Sequence, residues 1–412
     1  MFVRKNKSQI YIFALLISLL LTGCSSESIS NGLLNMEDLL RDMYHAAKSI
    51  IDYEEPQPED NIPEDIEDTF SVESVSGNLY VYNTLTDEEK LLYDEMLTCI
   101  NHYMESCVVS TCDSDLLNDV YHKMLADHGE LFWTEGYQYT EHLIGEEVVK
   151  LDFAPNYTMT EMEKDNIQIQ IDNKCDEWLS GISMSACDYD KTKYVYDLLI
   201  TNIDYDLDAP NNQNIMSVFL GDATVCKGYS CAAQYMLNKL GIKTTVIQGI
   251  ANDQVHSWNL VELGGAYYYM DVTWGNSQYS EGEDTKRFIN YTYLNVTTAD
   301  IEKTHTFEVD FELPMCDSMN DNYFYREGLY YTYLQPDVMG GWIKRAYEAK
   351  EIITLKLDSD SLYRETLTYF VDDDHILDYC KGIKGIKYLI DEDERTITFR
   401  FDEEYVPGEE NQ

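Results

Sequence analysis

Positive charge is scarce in this 412-residue chain: 29 Lys and Arg stand against 76 Asp and Glu, a formal net charge of −47. A surface so acidic repels the nucleic-acid backbone and anionic lipid, and no Lys/Arg cluster offsets it, so a nucleic-acid partner is excluded. Such a charge could steer a cationic partner, but a soluble exterior that resists sticking accounts for it as well. Also missing is a run fit to stay in a bilayer. The apolar stretch from Ile10 to Leu21, broken only by Ser18, is well short of the roughly 20 residues a spanning helix needs. No internal repeat, nucleotide-binding glycine loop or EF-hand loop occurs, and runs such as Asp372-Asp373-Asp374 read as solvated turns. No cofactor and no metal is expected.

What is present begins with a secretory signal. Arg4, Lys5 and Lys7 precede the apolar stretch, and Thr22, Gly23 and Cys24 follow it, the charged, apolar and small-residue parts in order. The ending Leu21-Thr22-Gly23-Cys24 resembles the lipobox of bacterial lipoproteins. That resemblance implies removal of residues 1–23, lipid on Cys24 and an extracytoplasmic, membrane-anchored protein of a bacterium. Losing three cations with the signal takes the net charge to −50.

The length suits two or three domains, and 44% hydrophobic residues let each bury a core. Met36, Leu39, Leu40, Met43, Ala47, Ile50 and Ile51 recur at helical spacing. Residues 54–73 then hold nine carboxylates, three prolines and no Lys or Arg, a composition that stays extended by self-repulsion. Residues 24–76 therefore read as an anchored helix and tether. Thr86-Asp87-Glu88-Glu89 is a capping-box signature, and a mainly helical region is expected over 77–185, with helices near Leu116–Ala126 and Thr160–Leu179. His128–Trp133 and Glu146–Phe153 read as short loop or strand segments. Another helix is expected over Lys191–Asn202.

Lys227–Leu240 keeps helical spacing and Gly241 stops it. Strands follow at Thr244–Ile250, Trp258–Leu263 and Tyr267–Trp274, the last two joined by a hairpin at Gly264-Gly265. Beyond residue 300 a small α/β or β-rich unit is expected, with a hairpin around Glu327-Gly328 and strands at Ile352–Leu357, Ile386–Ile390 and Thr396–Phe401.

Ten cysteines occur. With Cys24 reserved for lipid and Cys226 for chemistry, eight remain, which permits disulfides outside the cytoplasm without proving them. Cys107-x4-Cys112 followed by His122 and His128 has too short a middle gap for a zinc finger and reads as buried thiols or one disulfide. His122, His128, His305 and His375 show no partner in sequence and read as surface or packed residues.

Chemistry concentrates between residues 200 and 275. A nucleophilic cysteine attacks as thiolate, which a helix N-terminus beside an imidazole favours, and Cys226 begins the expected helix. If the hairpin closes with an even loop, residues whose numbers sum to 529 face each other. Trp258 then opposes Asp271, His256 opposes Thr273, and His256 and Asp271 become diagonal neighbours on one face, within reach of a hydrogen bond. An odd loop would throw them onto opposite faces.

Val225-Cys226-Lys227-Gly228-Tyr229-Ser230, then Gly241-Ile242, His256-Ser257-Trp258-Asn259 and Tyr269-Met270-Asp271-Val272-Thr273-Trp274, in this order, resemble the transglutaminase-like superfamily over residues 186–300. Asp204-Tyr205-Asp206 joins the resemblance. It implies an α+β, papain-like core in which a Cys-bearing helix packs on an antiparallel sheet. Cys226 would form a thioester, His256 would shuttle the proton and Asp271 would orient the histidine. Tyr205, Trp258 and Trp274 are expected to line the acyl groove, and the partner to be a protein or peptide substrate at the cell surface. The superfamily includes cross-linkers, peptidases, deamidases and inactive members, so a silent binding or assembly module stands as the alternative. Cys231, about 140° round the helix from Cys226, reads as core.

Overall fold

The computed structural model describes residues 2–7, 71–75, 79–281, 284–383 and 386–401. The apolar run, Cys24, the 33–51 helix and all but the end of the acidic stretch lie outside the described residues. That end is tied down: Glu73 N–H donates to Thr98 Oγ1 at 3.1 Å and Val75 N–H to Asp94 Oδ1 at 3.1 Å.

Strand β1 (Phe2–Lys7), helix α1 (Tyr80–Thr84) and helix α2 (Asp87–Asn101) open the chain. The capping box is formed, Glu89 accepting from Thr86 N–H at 2.8 Å while Thr86 Oγ1 accepts from Glu89 N–H at 3.3 Å. Strand β2 (Cys107–Val109) leads to α3 (Ser114–Asp127), capped by Asp113. A long hairpin follows, β3 (Thr134–Ile144) and β4 (Glu147–Tyr157), where the sequence suggested only short segments. Gly145, at φ +68°, makes its turn, and the sheet runs in the order β1-β3-β4-β2. Its polar alternation hid it: Tyr139, Leu151 and Phe153 face inward, but Gln138, Thr140, His142, Lys150 and Asp152 occupy the positions between them, and even the inward face carries Glu141.

Helices α4 (Glu161–Leu179) and α5 (Asp188–Asn202) precede a two-residue strand β5 (Asp204–Tyr205), a one-turn helix α6 (Met216–Phe219) and β6 (Ala223–Thr224), which pairs parallel with β5. Then comes α7 (Cys226–Lys239), ended by Gly241 at φ +81°. Strands β7 (Thr244–Ala251), β8 (Gln254–Leu263) and β9 (Ala266–Met270) follow, and β12 (His305–Phe307), placed further along the chain, completes an antiparallel sheet in the order β12-β7-β8-β9. Asn252 and Asp253, both at positive φ, turn β7 into β8, and Gly264 and Gly265 do the same for β8 and β9, as two-residue hairpins of this twist require. The fold is α+β, with the Cys226 helix packed on this sheet.

The sheet is buried on both faces. Val246, Val261, Tyr268 and Met270 join a core that runs continuously from Val81 through α2, α3, α5 and α7 to Leu294. Ile247, Trp258, Leu260 and Tyr269 face a smaller cluster with Tyr293, Val296 and Ile301. This period-two division explains why the three strands read as nearly unbroken apolar runs.

The segment after β9 departs from the expected strand: it ends at Met270, and Val272–Gly275 form a one-turn helix, α8, with Asp271 as its N-cap. Strands β10 (Asn276–Glu281) and β11 (Asp284–Ile289), helix α9 (Thr298–Ile301) and β12 (His305–Phe307) complete this part. Where a hairpin was expected around Glu327-Gly328 there is instead a helical turn, α10 (Tyr323–Arg326). Gly328, at φ +71°, and Leu329, donating to Phe324 O at 2.7 Å, close it in the manner of a helix C-terminus. The C-terminal unit holds β13 (Tyr330–Tyr331), α11 (Pro336–Ala349), β14 (Ile352–Leu357), β15 (Lys387–Asp391) and β16 (Thr396–Arg400). It has its own core around Leu355, Phe370, Ile397 and Phe399.

Candidate functional site

Cys226 is the first residue of α7, partly exposed, and Val225 before it offers no side-chain cap. The helix therefore presents uncapped N–H groups and the positive end of its dipole at the thiol. Gly228 in the same turn is obligatory, since a Cβ there would meet Thr224 Oγ1 and Asn212 O. The other eight described cysteines are free; Cys99, Cys107, Cys175, Cys231, Cys316 and Cys380 are buried, Cys112 and Cys187 exposed.

His256 lies in β8 opposite Gly249. Its Nε2 sits 2.7 Å from Asp271 Oδ2, and its side chain is 8% exposed against 0% for the aspartate. The expected 529 register is present, from Leu263 opposite Ala266 to Asn259 opposite Met270. Trp258 does not pair with Asp271, however, nor His256 with Thr273, because β9 has ended. The carboxylate reaches His256 from a helix N-cap rather than across a ladder. The cap leaves one oxygen for the backbone, Oδ1 accepting from Trp274 N–H at 3.1 Å, and the other for the imidazole.

Burial alone would lower the His256 pKa, but the Asp271 charge and hydrogen bond, with a hydrogen bond to the Cys226 thiol, push it up to about 10. Burial would raise Asp271, yet the charge and hydrogen bond of His256, helped by His305, hold it well below the usual carboxylate range. With its folded pKa above the unfolded value, His256 contributes stability that is complete below about pH 6.5 and lost as pH rises through about 10. Asp271, depressed, contributes stability present above about pH 3.9 and lost on acidification. The expected outcome is an alkaline decline in urea-unfolding stability between pH 6.5 and 10, of at most about 1.4 kcal/mol per pH unit. Much of it should vanish in His256→Ala; an unchanged decline in that variant would refute the assignment.

The three aromatic groove candidates separate. Tyr205 is 44% exposed beside Thr224 in the β5–β6 pair, and its pKa is raised, chiefly by burial and then by the charges of Cys226 and Asp271. Trp274 is half-buried, its ring 6.0 Å from His256. Trp258 is 1% exposed and cannot line an open groove; it stacks on His256 at 6.0 Å and forms the wall behind it. A cavity of about 440 Å3 adjoins the first turns of α7, lined by Lys227, Cys231, His128 and the Asn211–Asn214 loop among others.

No pattern in the sequence pointed to His305. At the start of β12, with its side chain 0% exposed, it places Nε2 3.1 Å from the same Asp271 Oδ2. His256, Asp271 and His305 are the one group among the described residues with donor atoms close enough to hold a metal, all within 4.8 Å. Their spacing is that of hydrogen bonds: bonds of about 2.0–2.1 Å in a tetrahedral site keep ligand atoms roughly 3.3 Å apart, wider than the 2.7 Å between His256 and Asp271.

Residues 178–272 match the family model of the transglutaminase-like superfamily core. Among solved structures, one described as a TGase is 14% identical over 36% of this chain and 47% of its own, with a TM-score of 0.25. A candidate cysteine protease from Cytophaga hutchinsonii is 14% identical over 33% of this chain and 57% of its own, with a TM-score of 0.23. The chain thus spans about half the length of these two structures. Among curated proteins none matches.

Proposed function

With residues 178–272 matching the family model of the transglutaminase-like superfamily, we propose that the chain is a thiol acyl-transfer enzyme acting on peptide or glutamine amide bonds through Cys226, His256 and Asp271. The observation that carries this reading is the orientation of His256: Nε2 is engaged by Asp271 at 2.7 Å, and Cys226 is near enough to act on the ring's titration. Nε2 held by the carboxylate leaves Nδ1 for the sulfur.

With His256 already holding a proton at neutral pH, the Cys226 sulfur attacks the amide carbon as the thiolate of that pair. Negative charge develops on the carbonyl oxygen, and the uncapped N–H groups of the first α7 turn, with the Tyr205 hydroxyl nearby, are the donors placed to meet it. Collapse breaks the C–N bond, the leaving amine takes the proton from His256, and a thioester remains on Cys226. An amine or water then gives its proton to His256, attacks the thioester and releases the thiolate. Asp271 stays ionised throughout, stabilising the imidazolium.

Amine-bearing and glutamine-bearing peptides incubated with the protein and analysed by mass spectrometry give three distinguishable results. A joined product marks transfer, and loss of ammonia or chain cleavage marks hydrolysis. Unchanged masses would support the silent binding module instead.

The protein acts at the cell surface, anchored through lipid on Cys24; the support is the lipobox resemblance of Leu21-Thr22-Gly23-Cys24. The wild type is expected in the membrane fraction, and Cys24→Ser in the medium. A soluble wild type with an unmodified Cys24 would sink this.

A further inference from the structure

Asp271 is shared by two histidines, and the triad uses only one. The imidazole of His305 is satisfied at both ends, Nε2 at 3.1 Å from Asp271 Oδ2 and Nδ1 at 2.8 Å from Thr304 Oγ1. An ionised carboxylate only accepts, so Nε2 carries a proton, while Nδ1 is paired with the Thr304 hydroxyl. Asp271 then receives N–H groups from His256 and His305 on Oδ2 and from Trp274 on Oδ1. It cannot rotate about its side-chain bonds without breaking all three.

The surroundings hold His305 to this task. Strand β12 sets His305 opposite Ala251 at the end of β7. It approaches so closely that a Cβ on Gly249 would meet Thr306 O. The rings of Trp274 at 4.7 Å, Trp258 at 4.9 Å and Tyr293 at 5.9 Å enclose the imidazole. Solvent does not reach it, so it neither touches substrate nor exchanges protons with water during turnover.

We propose that His305 is a positioning residue: its Nε2–H fixes the Asp271 carboxylate in the one orientation that keeps the His256 ring aligned on Cys226. The inference rests on the acyl-transfer reading and adds to it a fourth member, supplied from outside the residues that match the family.

Two variants of the full chain test it. His305→Phe keeps a buried ring and removes the N–H, whereas His305→Gln can place an amide N–H where Nε2 stands. Alkylation of Cys226 by iodoacetamide near neutral pH, with sites assigned by mass spectrometry, needs no substrate. Rates in His305→Phe are expected to fall by about tenfold or more, the scale seen when a residue that orients a reactive group is lost. His305→Gln should recover most of that rate, which a merely structural role would not produce. In 15N-histidine-labelled wild type, two imidazole N–H signals bonded to Asp271, identified by their loss in His256→Ala and in His305→Gln, are expected beside those of other pairs such as His128–Glu130 and His142–Asp152, and the His305 variants should lose one of the two. Wild-type rates in a folded His305→Phe, no recovery in His305→Gln, or a single such signal in the wild type would each overturn the proposal. If His305→Phe fails to fold, the glutamine rate and the wild-type spectrum still decide. A wild-type Cys226 no faster than Cys112 or Cys187 would instead overturn the acyl-transfer reading, and this inference with it.

Discussion

Asp271→Asn is expected to leave the protein folded and to reduce turnover by about four orders of magnitude, the scale of the equivalent change in a serine triad. The reason lies in the N-cap. Trp274 N–H demands an acceptor at Oδ1, so the asparagine amide turns its NH2 toward the two histidines. His256 Nε2 must then accept instead of donate, and the proton moves to Nδ1, on the side of Cys226. An imidazole that meets the thiol with an N–H cannot take its proton. Cys226→Ala should abolish turnover outright, and His256→Ala should remove both turnover and the fast alkylation of Cys226. The exposed Cys112 and Cys187 serve as internal standards, and the six buried thiols stay inert until the protein unfolds. Equal alkylation of Cys226 and Cys187, unchanged in His256→Ala, would show the groove to be a binding surface.

Trp258→Ala should cost about 3–5 kcal/mol of unfolding free energy, the range for emptying a buried large aromatic. Trp258 is the largest of the fully buried side chains and joins β8 to Ile247, Leu260 and Tyr269. Its ring also backs His256 and His305, so the same change should slow Cys226 alkylation in whatever protein remains folded. Trp258→Phe separates the two effects. Trp258 Nε1 is buried with no hydrogen-bond partner, and removing an unsatisfied donor returns part of the packing loss. The phenylalanine variant should therefore lose far less stability than the alanine one. Equal chemical-denaturation midpoints for the two would mean that the indole edge does not carry the packing assigned to it.

The site was legible where chemistry and local pattern coincide. Cys226 at a helix start, His256 on a strand and Asp271 just past a glycine hairpin could be read from spacing, because hairpin register is fixed by the two-residue Gly264-Gly265 turn. The end of β9 could not. An aspartate followed by Val272-Thr273-Trp274 reads as strand, and only the bond from Trp274 N–H to its side chain makes it a cap. His305 was invisible because it follows Asp271 by 34 residues and sits on a strand three residues long; no periodicity can be read from so short an element. In the C-terminal unit the strands Ile352–Leu357 and Thr396–Arg400 showed through their β-branched residues. Helix α11 was missed: Pro336 at its first turn is a start signal, but Gly340-Gly341 in its interior argue against a helix. Gly340 is needed there because a Cβ would strike the Tyr379 ring.

The residues that match the family do not amount to a part that can be lifted out. Gln234, midway along α7, donates to Ala126 O at 2.8 Å and accepts from Gly129 N–H at 2.8 Å. Asp127, at the end of α3, accepts from Val81 and Tyr82 N–H and from Thr245 of the central sheet. A fragment beginning at residue 178 would strip these partners from the reactive helix and leave Ala233, Met236 and Leu237 without part of their cover. Transplanting the Cys-His-Asp segment into another protein, or shortening this one to its recognisable stretch, should yield insoluble material. The evolutionary unit and the folding unit differ here by about a hundred residues, roughly the size of a typical small domain.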